Sequence, residues 1–418
     1  MFVIFLTVFI DLIGFGIVVP LVPLYSKHFG ASGWMIGGIL AAFSAMQFIF
    51  SPIWGRLSDR HGRRPILLIS TAGAALSYVF FALGSGLENH AWALGVMLAS
   101  RLFAGACGGN ITVAQAYVAD ISKPEERSKR MGLIGMAFGL GFIFGPVIGG
   151  ISLKCFGATA PGWAAAALCA FNFILAWRIL VESWKPEANP VAPRPRFMQW
   201  QHTLAQPKIG LLIGIFFVAT FAFSCFESTL PLLVNDDFKL GLDSDMVKSA
   251  TTVVSLFVFC GLLSAMVQGG MIGRLVKAFG EPKLIAASLV MTGASLVLLP
   301  LIIGNGPLQW LAVLKLTDIP WLEMLAVLAL LAFGSSLSRA PVFGMLSNLT
   351  AANEQGATIG VAQGAGSLAR IFGQFSASMM YGHSPMLPYF ICGGLAIAVS
   401  LVAAVKLAGG TQKVEAGS

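Results

Sequence analysis

The ten residues Gly55-Arg56-Leu57-Ser58-Asp59-Arg60-His61-Gly62-Arg63-Arg64 decide the fold class of this chain. An apolar run of about membrane-spanning length lies on each side of them. So dense a group of charges is unusual in a sequence that is 57% hydrophobic and 11% charged. The two glycines permit a tight reversal, because a residue without Cβ adopts positive φ readily. The stretch therefore predicts a cytoplasmic turn between two transmembrane helices, since positive charge resists translocation.

The composition supports a helical membrane protein. A mean hydropathy of +0.83 and 48 glycines do not suit a soluble globule but suit helices that approach closely through small residues. The pI near 9.3 does not indicate nucleic-acid binding, because the basic residues occupy short loops between apolar runs. Six scattered cysteines without a C-x-x-C pair predict neither a disulfide framework nor a metal site, and no cofactor is expected. No cleavable signal peptide is expected, since the first run is long enough to remain as a span.

The number and orientation of the spans follow from apolar runs and loop charge. Twelve runs have spanning length: 2–24, 34–54, 65–86, 91–118, 131–153, 161–181, 208–233, 249–271, 283–304, 320–346, 356–381 and 386–407. With the amino terminus inside, the cytoplasmic loops and tail carry 18 Lys and Arg and the opposite loops carry 5. The sequence therefore predicts an all-α membrane protein with both termini cytoplasmic.

The chain divides into two pseudo-symmetric halves. The prediction is a first six-helix half at 1–184, a proline-rich cytoplasmic linker at 185–207, a second half at 208–407 and a cytoplasmic tail at 408–418. Gly55-Arg56-Leu57 and Gly62 recur as Gly273-Arg274-Leu275 and Gly280. Duplicated halves in the same orientation suit a rocking transporter that holds its substrate at the midplane.

Several motifs resemble the major facilitator superfamily. GRLSDRHGRRP is similar to that superfamily's loop between helices two and three, whereas a generic positively charged loop is the alternative. FIDLIGFGIVVPLVP, around Asp11, closely resembles helix one of proton-driven drug antiporters, including the tetracycline exporters. Arg101, followed by Gly105 and Gly108, matches the superfamily's second motif. The resemblance implies the twelve-helix major facilitator fold and a role for Asp11 in proton coupling.

Asp11 and Arg101 are the predicted proton-coupling residues. Each lies about ten residues, or roughly 15 Å, from one end of its span, and so near the middle of the bilayer. A single carboxylate there is functional by default. The distance between the two charges would change the proton affinity of the acid. The alternative is a permanent structural ion pair between Asp11 and Arg101.

Two further motifs concern movement and direction of transport. The resemblance implies a conformational latch of Gly55, Asp59, Arg63 and Asp120, in which Arg63 bridges the two acids and Asp59 faces the start of helix eleven. The run Gly141-Phe142-Ile143-Phe144-Gly145-Pro146-Val147-Ile148-Gly149-Gly150 matches a pattern that marks drug–proton antiporters, which favours export. The alternative for this run is an ordinary small-residue packing face with a proline kink.

Polar residues within the spans are candidates for lining a substrate cavity: Asn110, Gln115, Glu227, Arg339, Gln363 and Arg370. Asn110 and Gln115 equally suit hydrogen bonds to backbone groups. Glu227 and Arg370, roughly 27 and 21 Å from the cytoplasmic ends of their spans, suit either a fixed ion pair or an anion-binding role. Tetracycline exporters carry further polar groups in helices three, eight and nine. This chain offers Ser77 in the third but no histidine in the eighth and no acid in the ninth, so the resemblance leaves open whether tetracycline is a substrate.

The sequence therefore predicts a transporter and not an enzyme. The expected activity is export of a small drug-like molecule in exchange for protons by a monomer in a bacterial inner membrane, with the lipid bilayer as its other partner. The first alternative is an organic-anion or metabolite transporter of the same fold without obligatory proton antiport. A membrane enzyme or scaffold is the second. The sequence has no H-E-x-x-H motif that would indicate an enzyme. It also has no phosphate-binding loop that would indicate direct ATP coupling.

Overall fold

The computed structural model describes residues 1–122, 124–183, 196–237, 246–302, 319–350 and 355–408, and every regular element in them is helical. The helices in chain order are α1 Phe2–Val18, α2 Leu21–His28, α3 Gly33–His61, α4 Arg63–Ser85, α5 His90–Cys107, α6 Asn110–Asp120, α7 Pro124–Phe156, α8 Ala160–Ile179, α9 Arg196–Ala205, α10 Pro207–Asp237, α11 Met246–Met266, α12 Ile272–Phe279, α13 Glu281–Ile302, α14 Ile319–Leu349, α15 Gln355–His383 and α16 Leu387–Ala408. A π-helical segment, Val267–Met271, joins α11 to α12.

The prediction of an all-α membrane protein is confirmed. Within the described ranges, eleven helical segments are long and apolar enough to cross a membrane, and α1 with α2, like α5 with α6, forms one such segment. The remaining predicted span, 356–381, coincides with α15 but is not among the eleven. Gln363, Arg370 and Gln374 make α15 more polar than its neighbours. The count of twelve transmembrane helices therefore stays a prediction.

The charged stretch forms a turn at one residue only. The prediction of a reversal across 55–64 is wrong in extent, because α3 continues through Gly55 to His61. Gly62 alone makes the turn, with φ 96° and ψ 159°. Its counterpart in the repeat, Gly280, has φ 76° and ψ 155° and ends α12. Only glycine adopts such a conformation without strain, so these two positions explain why the motif keeps a glycine there.

Two other predicted elements differ in detail. The predicted linker 185–207 contains a ten-residue helix, α9, which begins directly after Pro195 and ends before Pro207. The fourth predicted span, 91–118, is interrupted at Gly108 and Gly109, between α5 and α6. The predicted loop around 305–319 lies almost entirely outside the described residues.

The chain forms two compact units. Unit 1 comprises Met1–Asn189 and Leu230–Leu262, and unit 2 comprises Pro190–Thr229 and Leu263–Ser418. In unit 1, α1 packs against α7 and α8, and its Ile4, Val8 and Leu12 belong to the buried apolar core. In unit 2, α13 packs between α14 and α16. The division into six-helix halves at 185–207 stays a prediction.

Candidate functional site

Asp11 lies in the middle of the segment Phe2–His28 and is half-buried in unit 1. Its Oδ2 accepts a hydrogen bond from Asn110 Nδ2 at 2.6 Å, and the thiol of Cys169 lies 3.9 Å from its Oδ1. The Oδ1 of Asn110 is buried and has no hydrogen-bond partner. Asn110 therefore offers a donor to the carboxylate and an acceptor to the protonated acid, and suits either state of Asp11.

The interruption between α5 and α6 places Asn110 beside Asp11. Asn110 is the first residue of α6, and a helix amino terminus favours a nearby carboxylate. The break frees backbone carbonyl groups, which side chains from neighbouring helices satisfy. Trp54 Nε1 donates to Ala106 O at 2.6 Å, Ser70 Oγ to Cys107 O, and Gln47 Nε2 to Gly108 O at 3.4 Å. Because these side chains hydrogen-bond to the freed carbonyl groups, the break between α5 and α6 is a stabilised part of the site around Asp11.

Arg101 does not contact Asp11. Its side chain is 2% exposed, and its Nε and Nη2 have no hydrogen-bond partner. Three aromatic rings surround the guanidinium, with centroids 5.7 Å from its carbon for Phe81, 5.9 Å for Tyr78 and 6.0 Å for Phe43. Cation–π attraction stabilises a charge in such surroundings without an acceptor. The permanent Asp11–Arg101 ion pair considered from the sequence is therefore not the arrangement in this structure.

The predicted latch residues lie at the end of unit 1 that the loop charges predict to be cytoplasmic. Arg63 is 8% exposed, and its Nε donates to Asp120 Oδ2 at 2.9 Å. Its Nη1 donates to Ser58 Oγ at 2.7 Å. Gly55 faces α6, since a Cβ there would lie 3.8 Å from Thr112. The side chain of Asp59 lies outside what the structure describes, so its bridge to Arg63 and the function of the latch stay predictions.

Glu182 is a latch neighbour that the sequence analysis missed. Its Oε1 accepts from the backbone N–H of Arg63 at 2.8 Å, and its Oε2 accepts from that of Arg64 at 3.1 Å. Both donors belong to the first turn of α4, where backbone N–H groups lack helical partners. The only signal for Glu182 in the sequence is an acid at the end of a span on the basic side of the membrane.

The glycines of the predicted antiporter motif bring α7 against α1. A Cβ on Gly145 would lie 2.6 Å from the backbone of Gly16, and one on Gly141 would lie 2.7 Å from Leu12. Gly149 faces Ile17, which also belongs to α1. Gly150 points elsewhere in unit 1, toward Val254, and Pro146 lies within α7. The motif therefore includes a backbone-to-backbone packing face against the helix that carries Asp11.

Unit 2 contains a cluster of two arginines and one acid. Glu227 on α10 and Arg370 on α15 attract each other electrostatically, and Arg370 Nη2 donates to Ser367 Oγ at 3.3 Å. Arg339 on α14 is close enough to Arg370 for their charges to repel. The Arg339 guanidinium carbon lies 6.0 Å from the ring centre of Phe343. The cluster has more positive than negative charge.

Gln115 and Gln363 are the two other polar candidates for the substrate cavity. Gln115 and Gln363 are half-buried, and the backbone carbonyl of Gln363 accepts from Ser367 Oγ at 3.2 Å. Among the described residues, no group of three or more His, Cys, Asp and Glu side chains could hold a metal ion.

Sequence reasoning missed Tyr78 and Cys169 beside Asp11, because an aromatic residue and a cysteine in an apolar run give no signal of their own.

Membrane-spanning helices that carry opposite charges within their spans, with one acid beside an interrupted helix, are typical of integral membrane proteins of the transporter class. The sequence model of the Major Facilitator Superfamily matches residues 4–317. The chain therefore belongs to this superfamily of transporters.

The relatives include drug-resistance proteins. The chain is 33% identical to the tetracycline resistance protein, class C, of Escherichia coli over 301 residues, which are 70% of this chain and 71% of that protein. It is 28% identical to multidrug resistance protein 2 of Bacillus subtilis (strain 168), over 92% of this chain and 90% of that protein. The human organic anion transporter MFSD10 (TETRAN) has a similar fold, with a TM-score of 0.66 and 23% identity over 96% of this chain and 98% of that one.

Proposed function

We propose that this protein exports a small drug-like molecule in exchange for protons by alternating access, with Asp11 as the proton carrier. The observation that carries the proposal is the pairing of Asp11 with Asn110 in the interior of a spanning segment. Asn110 can stabilise the ionised acid through Nδ2 and the protonated acid through its otherwise unpartnered Oδ1. A site that accepts both states suits repeated proton uptake and release.

Two further observations support export. The chain keeps the antiporter motif at 141–150, and its relatives include proteins named for tetracycline and multidrug resistance. The proposed setting is a bacterial inner membrane, with a monomer whose termini are both cytoplasmic. Substrate and protons would reach the chain from alternate sides.

Asp11→Asn tests the proton role. Purified protein in liposomes with an imposed pH gradient is assayed with ethidium as a cationic probe, tetracycline as a zwitterionic probe and carboxyfluorescein as an anionic probe. We expect Asp11→Asn to reduce proton-driven transport to background and to leave folding intact, because asparagine is nearly isosteric but cannot carry a proton. Glu88→Gln, which neutralises an exposed acid between α4 and α5, is the matched control. Undiminished pH-driven transport by Asp11→Asn would contradict the proposal.

The arginine-rich cluster of unit 2 favours a second candidate, an organic-anion or metabolite transporter without obligatory proton antiport. Arg339 has an exposed side chain and lies near Arg370, so that two positive charges approach each other within unit 2, where Glu227 attracts Arg370. The same liposome assay separates the candidates. Transport of carboxyfluorescein that is independent of the pH gradient and sensitive to Arg339→Gln would support the anion transporter.

A further inference from the structure

The aromatic ring of Tyr78 contacts helix α1 next to Asp11. A Cβ on Gly14 would lie 3.1 Å from Cε2 of Tyr78 and 3.6 Å from Cζ, the atom that carries the hydroxyl group. Gly14 follows Asp11 by three residues, so the two positions share one face of α1. Tyr78 is 4% exposed. The hydroxyl end of this buried ring therefore reaches α1 within one helical turn of the carboxyl group.

Arg101 contacts the same ring. Its guanidinium carbon lies 5.9 Å from the ring centre of Tyr78, and the neighbouring Ser100 donates from Oγ to the carbonyl of Ser77 at 2.8 Å. This hydrogen bond ties α5 to α4 at the level of Tyr78. With Phe43 and Phe81 beside the guanidinium as well, three rings enclose Arg101.

The groups around Asp11 come from several helices. Asn110 and Cys169 donate to it from α6 and α8, and the thiol of Cys107 on α5 is close enough to interact with it electrostatically. Tyr78 from α4 interacts electrostatically with both Asp11 and Arg101. Helix α7 meets α1 at this level through Gly141, which packs against Leu12.

We propose that Tyr78 is a positioning residue for proton exchange at Asp11, because its ring holds Arg101 in aromatic contact and away from the carboxyl group. A guanidinium that reached Asp11 would hold the acid in its ionised form and prevent it from taking up a proton. The inference rests on the proposed proton role of Asp11.

Infrared difference spectroscopy of the full chain in lipid tests the inference without a substrate. The probe is the carbonyl band of a protonated carboxyl group that disappears in Asp11→Asn. At the pH where this band is half-maximal in the wild type, Tyr78→Ala should weaken it about five-fold, since a nearby opposite charge changes carboxyl ionisation at least about tenfold. Tyr78→Phe keeps the ring and should retain the wild-type band. Adding Arg101→Met to Tyr78→Ala should restore it.

The other outcomes are decisive. If Tyr78→Ala does not fold, Tyr78→Leu, which keeps volume but removes the ring, should show the same weakening. A wild-type band in the folded Ala or Leu variant, or a weakened band in Tyr78→Phe, would overturn the role of the ring. If the wild-type protein shows no carbonyl band that depends on Asp11, the proposal that Asp11 carries the proton is overturned. The role of Tyr78 in proton exchange is then overturned with it.

Discussion

Glu227 shows how much the surroundings of a single residue restrict its role. Its neighbours on α10 do not compensate its charge, because Ser228 and Thr229 donate to carbonyl groups of their own helix. A charge left alone at this depth costs several kcal/mol or is neutralised. Glu227 therefore depends on Arg370 or on a proton.

A double-mutant cycle tests the dependence of Glu227 on Arg370. Glu227→Gln and Arg370→Gln should each lower the melting temperature of the purified protein, because each substitution leaves the other charge without its partner. Each single substitution should lower the free energy of unfolding by on the order of 1–3 kcal/mol, because these groups are incompletely buried. The double variant should recover part of that free energy. Purely additive losses would refute the pairing and leave Arg370 as a candidate contact for an anionic substrate.

At the scale of helices, the contact between α1 and α7 depends on glycine. Gly16 and Gly145 let the two backbones approach, since a Cβ on either would lie 2.6 Å from a backbone atom of the other helix. Van der Waals packing of this kind drives helix association in lipid, where the hydrophobic effect contributes little. The position of Asp11 thus depends on residues of α7 that carry no charge.

Two substitutions on α7 test this contact. Gly145→Ala should lower the melting temperature by several degrees and reduce transport, because the added methyl group would overlap the backbone of α1. Gly139→Ala is the matched control, since a Cβ there meets nothing within 4 Å. Alanine favours a helix over glycine by up to about 1 kcal/mol, so the control should be neutral or stabilising. Equal melting temperatures for both variants would contradict the packing role of Gly145.

At the scale of the whole molecule, loop charge predicts the orientation of the chain in the membrane. The loops assigned to the cytoplasm carry most of the lysines and arginines, and the turn at Gly62 is one of them. Cys155, at the end of α7, follows Lys154 and belongs to the opposite side in this orientation. It is an exposed free cysteine, whereas the five other cysteines are buried or half-buried.

A membrane-impermeant maleimide tests the orientation. It should label Cys155 from outside intact cells, and Cys155→Ser should remove the signal. Arg60→Cys, placed at an exposed position in the last turn of α3, should be labelled only after lysis when added to the Cys155→Ser background. The reverse pattern would place both termini outside.

The membrane class, the approximate spans and the presence of a turn within 55–64 could be predicted, because each depends on residues close together in the chain. Twenty apolar residues specify a span wherever they occur, and a glycine with positive φ specifies a turn. The interruption at Gly108 and Gly109 was missed, because two glycines in an apolar helix equally suit close packing. The side chains that stabilise the break, such as Trp54 and Ser70, belong to other helices.

By itself, the sequence determined that this chain spans the membrane, because hydropathy follows directly from residue order. It also predicts, from helical rise alone, that Asp11 and Arg101 lie at similar depth. Only the tertiary structure decided what each charge contacts. Asn110 and Cys169 reach Asp11 from 99 and 158 residues away, whereas Arg101 is enclosed by aromatic rings. The physical reason is that depth is a property of one helix, but contacts depend on how several helices are rotated and packed around each other.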